Sequence, residues 1–195
     1  MNSITGLGSD FVRLVFDVVL FLLLVRLLLQ LLRTDFYNPL SQAVVRATSF
    51  LDPLRRPLGA WHGLDIATLI ALLVAKMLQV VVLLKMLPGG VGGQIDPGLM
   101  LAIAGVSVVD QLAAFFFWAI LGVVILSWLA PDGRNPAAQL LWSLTEPVLG
   151  PARRLLPAMG GIDFSPMLVM FLIYAVRAYL VPALANAAGI PHFLI

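Results

Sequence analysis

The chain has no cysteine, only two histidines, and charged side chains at just 11% of its 195 residues. Without cysteine there are no disulfides, thiolate metal sites or thiol nucleophiles. His62 falls in the first connection and His192 in the C-terminal tail, on opposite sides of the topology derived below, so they cannot share one metal or one acid–base site. Asp132 and Glu146 are not paired by spacing. No catalytic set can be assembled, and the chain is expected to be no enzyme, with no metal and no cofactor. A formal charge of +2 leaves no electrostatic footprint for nucleic acid. The segment before Asp10 has no basic stretch, and no small-x-small site follows the first apolar run, so the first helix is expected to be retained.

What the chain has is apolar sequence, 61% of it. So little polar surface cannot cover a soluble domain of this size, so the solvent for much of it must be lipid. Four runs reach the roughly 20 residues needed to cross a hydrocarbon core about 30 Å thick: Leu14–Leu32, Ile66–Leu87, Leu99–Ala130 and Pro166–Leu184. Arg33, Arg46, Arg55 and Arg56 lie between the first two runs, and Arg134, Arg153 and Arg154 between the last two. The tails and the connection Pro88–Pro97 contain neither Lys nor Arg. By the positive-inside rule, both arginine-bearing connections are expected in the cytoplasm and both termini in the periplasm of a bacterial inner membrane.

The chain is also a duplication. Asn38-Pro39 and Gln42 recur as Asn135-Pro136 and Gln139. One residue out of that register, Leu51-x-Pro53-x-Arg55-Arg56-x-Leu58-x-Ala60-x-x-Gly63-x-Asp65 recurs as Leu149-x-Pro151-x-Arg153-Arg154-x-Leu156-x-Ala158-x-x-Gly161-x-Asp163. General hydrophobicity does not place Pro, Arg, Gly and Asp at matching positions. Residues 1–88 and 98–195 therefore read as two units, each a span, a connection and a returning span, joined by a Gly-rich linker over 89–97. Both units run the same way through the membrane, as parallel repeats do. In that linker Gly89-Gly90-Val91-Gly92-Gly93 is a turn and no phosphate loop, since the Lys-Ser/Thr that a phosphate loop needs is missing.

The connections have patterns of their own. Asn38 and Asn135, each followed by proline, are expected N-caps. Beyond them Ala43, Val44, Ala47 and Leu51, and Ala137, Leu140, Leu141, Leu144 and Val148, fall on one helical face. Each unit is thus expected to carry a short amphipathic helix, apolar face on the headgroup region, ended by Pro53 or Pro151. Asp65 and Asp163, each two residues after a glycine and just before a span, are expected caps of the returning helices.

The run Thr145-Glu146-Pro147-Val148-Leu149-Gly150-Pro151-x-Arg153-Arg154-Leu155-Leu156-Pro157, followed by Gly160-Gly161-Ile162-Asp163-Phe164-Ser165-Pro166, resembles the signature of the YggT family of bacterial membrane proteins. The two-unit length is similar to that of its proteobacterial members. The first unit departs from the signature, with Thr48-Ser49 in place of Glu146-Pro147 and Ala67-Thr68 in place of Ser165-Pro166. The resemblance implies no enzymatic activity. It implies an association with division or cofactor-assembly genes and a part in tolerance of osmotic stress.

The side chains singled out fall into two groups. Arg55, Arg56, Arg153 and Arg154 are expected either to bind lipid headgroups or a membrane-protein partner, or only to fix topology. Asp17, Arg26, Lys76, Gln79, Asp110, Tyr174 and Arg177 lie within the spans, where an ionisable group costs several kcal/mol on insertion scales. They are expected to form either interhelical pairs, with Arg177 on Asp17 or Asp110, or a polar path. The third run is too long for the core and must tilt, project or break near Asp110-Gln111. The fold expected is all-α, with four transmembrane helices in two tandem hairpin repeats. Its function is expected to be that of a non-enzymatic organising or assembly factor engaging lipid headgroups or a membrane protein; the alternative is a cation-handling protein of osmotic adaptation. The partners expected are membrane lipids, a membrane-protein partner and a further copy of the chain.

Overall fold

The computed structural model describes residues 3–61, 63–86, 96–129, 135–156 and 163–190. The glycine run, Asp132, Arg134, both histidines and the side chain of Arg56 lie outside the described residues. In chain order the elements are α1 (Ser3–Leu31), α2 (Pro39–Ala47), a 3-10 turn (Ser49–Leu51), α3 (Asp52–Leu58), strands β1 (Ala60–Trp61) and β2 (Leu64–Asp65), α4 (Ile66–Met86), α5 (Pro97–Leu129), α6 (Pro136–Leu155), α7 (Ser165–Ala175), a π turn (Val176–Leu180) and α8 (Val181–Ala187). Four stretches are long and apolar enough to cross a membrane: Leu7–Leu31, Ile66–Met86, Pro97–Leu129 and Ser165–Ala187. These are the four expected spans. The first starts earlier than its apolar run, because no proline interrupts the residues ahead of Leu14.

The third span does not break. It is one helix of 33 residues, about 50 Å at 1.5 Å per residue. No proline follows Pro97 within it, and its first part is held by packing: Ile103 is fully buried against Val80, Leu84, Ala185 and Ile190, and Ala104 beside it is fully buried too. That cluster gathers the end of α4, the start of α5 and the end of α8 at the tail end of the bundle. The largest cluster sits nearer the connections, where Leu20, Leu23, Leu24 and Leu28 of α1 meet Leu72, Phe115, Leu140 and Leu144. A third joins Ile120, Leu149, Ala152 and Val169. Since lipid tails are as apolar as leucine, this packing holds the helices together by close contact more than by exclusion of water.

The connections depart from expectation in two ways, each with a physical reason. Pro53 and Pro151 do not end helices: Pro53 opens α3, and Pro147 and Pro151 lie inside α6. In a first turn the missing N–H has no partner to lose. In α6 both rings lie on exposed positions, where water or headgroups can reach the carbonyls of Ser143 and Pro147 that the prolines leave without donors. Nor does the apolar face of the second connection rest wholly on the membrane surface. Leu140 and Leu144 belong to the main core, with Val44 and Leu141 packed against it.

The one-residue slip between the repeats also has a structural origin. Thr48 and Thr145 are both buried, and each hydroxyl donates to the carbonyl four residues back, Val44 O at 2.7 Å and Leu141 O at 2.8 Å. Leu51 and Leu149 are both buried as well. The first unit covers Thr48 to Leu51 in a 3-10 turn of 3.0 residues, and the second covers Thr145 to Leu149 in an α turn of 3.6. An extra residue in the wider turn brings the same side chain to the same face.

The two units touch through α4 and α5 and through α2 and α6. Asn38 and Asn135 each accept a backbone N–H two residues on, at 2.9 Å in both cases. Asn38 also donates from Nδ2 to Pro136 O of the other unit at 2.7 Å, and it is buried while Asn135 is exposed. Replacing Asn38 with Ala should therefore cost about 2 kcal/mol, cap and buried bond together, against about 1 kcal/mol for Asn135→Ala. Thermal unfolding of the detergent-purified variants measures the difference, and equal losses would remove the bond between units from the account.

Candidate functional site

The returning span of each unit starts at an aspartate that its own connection holds. In the first unit Asp65 is 1% exposed. It accepts from Thr68 N at 3.3 Å and Thr68 Oγ1 at 2.7 Å, and the Arg55 Nε lies 2.7 Å from its Oδ2. Gly59 and Gly63, at φ +62° and +89°, make the turns that bring β1 and β2 together and carry Asp65 back under α3. Arg55 also donates to Gln30 Oε1 at 2.5 Å. Ninety-eight residues on, Arg153 repeats the contact: its Nε lies 3.1 Å from Asp163, whose other oxygen accepts from Ser165 N at 2.9 Å. Arg153 also meets Glu146 at 2.6 Å. Two of the four arginines expected to reach lipid or a partner, Arg55 and Arg153, are thus engaged within the chain. Arg154 is exposed and in no ion pair among the described residues.

Partial burial acts to raise the Asp163 carboxyl, but the N–H and hydroxyl of Ser165 and the Arg153 guanidinium outweigh it and hold the group below the usual carboxylate range. A depressed folded value stabilises the fold above the unfolded value, near 4. That stability is lost as pH falls through the folded value.

Arg26 is not part of a mid-span network. It is 2% exposed and turns toward the connection, donating to the carbonyl of Thr48, to Thr48 Oγ1 at 2.8 Å and to Asp52 Oδ1 at 2.6 Å. Only five residues separate it from the end of α1, about 8 Å, so a long side chain leaves the hydrocarbon depth easily. The second unit has no counterpart: Val123 stands ninety-seven positions on from Arg26, and Gly150 ninety-eight on from Asp52.

The remaining span residues form a layer at mid-depth. Gln79 Nε2 donates to Asp17 Oδ1 at 2.7 Å, and Lys76 Nζ donates to Gln79 Oε1 at 2.8 Å. Lys76 lies in electrostatic reach of Asp17, Arg13 and Asp110. Arg177 grips Asp110 with two bonds, Nε to Oδ1 at 2.7 Å and Nη2 to Oδ2 at 3.1 Å. Of the two acids expected to pair with Arg177, the partner is Asp110. Tyr174 is exposed and makes no hydrogen bond among the described residues. Arg177 sits about 18 Å along the span from Ser165 and about 15 Å from Ala187, near the middle of a 30 Å core. It lies in the π turn, where Val181 N donates to Val176 O. Pro182 explains that turn: it offers no N–H to Ala178 O and its ring would crowd that carbonyl, so widening the turn relieves both.

Sequence reasoning missed Gln30, Thr48, Asp52, Thr68, Glu146 and Ser165 as partners. The i, i+3 spacing of Asp52 with Arg55 and of Asp65 with Thr68 was the available signal. Among the described residues no group of three or more His, Cys, Asp or Glu side chains could hold a metal ion.

This arrangement defines a polytopic helical membrane protein assembled from two tandem units, each closed by an Arg–Asp contact at the foot of its returning helix. The family model for CCB3/YggT matches residues 7–87 and 102–184, one stretch for each unit, and the chain belongs to that family. It is 40% identical over 179 residues to an uncharacterized protein of Pseudomonas aeruginosa, covering 91% of this chain and 90% of the relative. It is 37% identical over 182 residues to the uncharacterized protein YggT of Escherichia coli, covering 91% and 88%. No solved structure matches.

Arg177→Leu leaves Asp110 without its partner at mid-depth and should destabilise the detergent-purified protein by about 1 kcal/mol, the upper end for a part-exposed pair held by two bonds. Adding Asp110→Asn should restore part of the loss, and adding Asp17→Asn should restore none. Rescue by Asp17→Asn in place of Asp110→Asn would refute the pairing.

Proposed function

We propose that this protein is a non-enzymatic organising or assembly factor of the bacterial inner membrane, with its termini in the periplasm and its two connections forming a cytoplasmic platform that meets lipid headgroups or a membrane-protein partner. One observation carries the reading. Phe36, Tyr37, Leu40, Phe50 and Leu54 are all exposed on the first connection, beside Arg33 and Arg46, which are exposed and in no ion pair among the described residues. Aromatic rings interleaved with free arginines suit the boundary between hydrocarbon and headgroups, and each basic residue there contributes about 1 kcal/mol near an anionic surface. Osmotic adaptation enters as an alternative role. It is favoured by one feature, the mid-depth Arg177–Asp110 pair, whose side chains are 40% and 29% exposed where the surroundings are hydrocarbon, water or another protein. Ion flux into liposomes that Arg177→Leu abolishes would favour this cation-handling reading.

Two measurements test the platform. A reporter fused after Ile195 should behave as periplasmic and one inserted near Gly59 as cytoplasmic; a cytoplasmic C-terminus overturns the orientation. In a Tyr37→Trp variant whose four native tryptophans are replaced by phenylalanine, the introduced indole should be quenched strongly by lipids brominated close to the headgroup and weakly by lipids brominated near the chain ends. Absence of quenching by either would place the platform in water and sink the lipid reading.

A further inference from the structure

Two depressions on the second unit meet at Pro151. The first, about 510 Å³, is lined by Ser143, Glu146, Pro147, Gly150, Pro151 and Arg154. The second, about 390 Å³, is an apolar groove between α5, α6 and α7 that runs from Val148 and Leu155 to Val109 and Val176, beside the mid-depth ion pair. Its lining on α7 and the π turn runs from Leu168 to Val176, about 12 Å of helix, against about 15 Å for half of a 30 Å hydrocarbon core. The groove thus reaches through most of one leaflet, and its entrance lies against a cleft that carries charge.

The charges of that cleft are specific. Glu146, Gly150 and Arg154 stand at i, i+4 and i+8, on one face of α6. Arg153 is occupied by Glu146 and Asp163, which leaves Arg154 as the cleft guanidinium in no ion pair among the described residues. Glu146 Oε2 accepts from Arg153 Nη1, while its Oε1 accepts no hydrogen bond among the described residues and lies over Gly150, 3.2 Å from where a Cβ would stand. The cleft therefore offers one free cation and one half-free carboxylate, with no net charge once Arg153 and Asp163 are counted. At the position of Gly150 the first unit places Asp52, bound by Arg26.

We propose that this cleft and groove form a site for a zwitterionic phospholipid with a primary ammonium headgroup. The phosphodiester sits on Arg154, the ammonium donates to Glu146, and one acyl chain lies in the groove. The site rests on the reading that the connections meet lipid, and it goes further by choosing the lipid. An anionic phosphatidylglycerol headgroup offers Arg154 the same phosphodiester but brings no cation to Glu146. A trimethylammonium headgroup has no N–H to give it. An ethanolamine headgroup satisfies both side chains.

The test uses the full chain, purified in a neutral detergent and titrated with phosphatidylethanolamine, phosphatidylcholine or phosphatidylglycerol of identical acyl chains, and with glycerophosphoethanolamine, which has none. Native mass spectrometry reads bound lipid, and the thermal midpoint without lipid confirms that each variant is folded. The ethanolamine lipid should bind about fivefold tighter than either other lipid, the scale of one charge-assisted hydrogen bond. Glu146→Gln should abolish that preference, with Arg153 still held by Asp163, and Gly150→Leu, which fills the cleft and displaces the Glu146 carboxylate that lies over it, should do the same. Arg154→Gln and the groove-filling Ala113→Phe should weaken all three lipids together, and the chainless ester should not bind at lipid-saturating concentrations. Tighter binding of phosphatidylglycerol overturns this site while leaving the lipid-facing platform intact. Binding of the chainless ester as tightly as the lipid overturns it in favour of a soluble ligand. Indifference to every lipid, together with an unquenched indole in the Tyr37→Trp variant, overturns both.

Discussion

Each unit depends on an arginine from the connection lying on the capping carboxylate of the returning helix. A span cannot begin in hydrocarbon with free backbone N–H groups, and Asp65 and Asp163 answer that need at the head of α4 and α7. An aspartate buried to 1% exposure is costly unless its charge is matched. Arg55 supplies the match, and through Gln30 it also fixes the connection to the end of α1. One guanidinium thereby sets where the first span stops, how the connection folds and where the second span starts. In the second unit Arg153 closes the same loop on a more open aspartate, with Glu146 as its additional anchor.

The differences between the units follow from what each does with the space above that contact. The first fills it: Arg26 comes up from α1 to the Thr48 carbonyl and Asp52, and the chain breaks into α2, a 3-10 turn and α3. The second has no such arginine and runs on as one helix of 20 residues across two prolines. It leaves Gly150 bare under the Glu146 carboxylate. The duplicated scaffold holds both units in the membrane, while the departures from duplication concentrate at the polar ends. That is where a repeated protein can acquire a site in one copy without disturbing the other.

The four spans and the repeat were legible because apolar length and the Pro, Arg, Gly and Asp spacing are properties of sequence alone. The Arg177–Asp110 pair was legible to within one of two acids, since depth can be counted along a helix but azimuth cannot. Arg26 was misplaced for a related reason. Its Cα lies inside the span, and only the fold reveals that its long side chain climbs out to Thr48. The prolines misled because the rule that they end helices assumes a buried carbonyl at i−4, whereas the carbonyls behind Pro147 and Pro151 belong to a helix with an exposed side. The slip between repeats was visible as a register change, but its meaning needed the 3-10 turn that absorbs it.

The mid-depth layer is harder to account for by stability alone. Asp17, Gln79, Lys76, Asp110 and Arg177 lie between the apolar cluster at the tail end and the main core toward the connections, on positions where leucine would pack without a desolvation cost. An ion pair at that depth is rarely more stable than the apolar side chains that could replace it. The layer consists of two bonded groups, Asp17–Gln79–Lys76 and Asp110–Arg177, and Pro182 forces the π turn to present Arg177 out of ordinary helical phase. What such a layer does impose is a single register: sliding any span by a turn, about 5.4 Å, would separate Gln79 from Asp17 or Arg177 from Asp110 and leave charge alone in hydrocarbon. Apolar helices packing on apolar helices in lipid have no comparable penalty for slipping. On this argument the mid-depth polar groups fix α4 against α1 and the π turn against α5, so that the two spans of each unit keep one register.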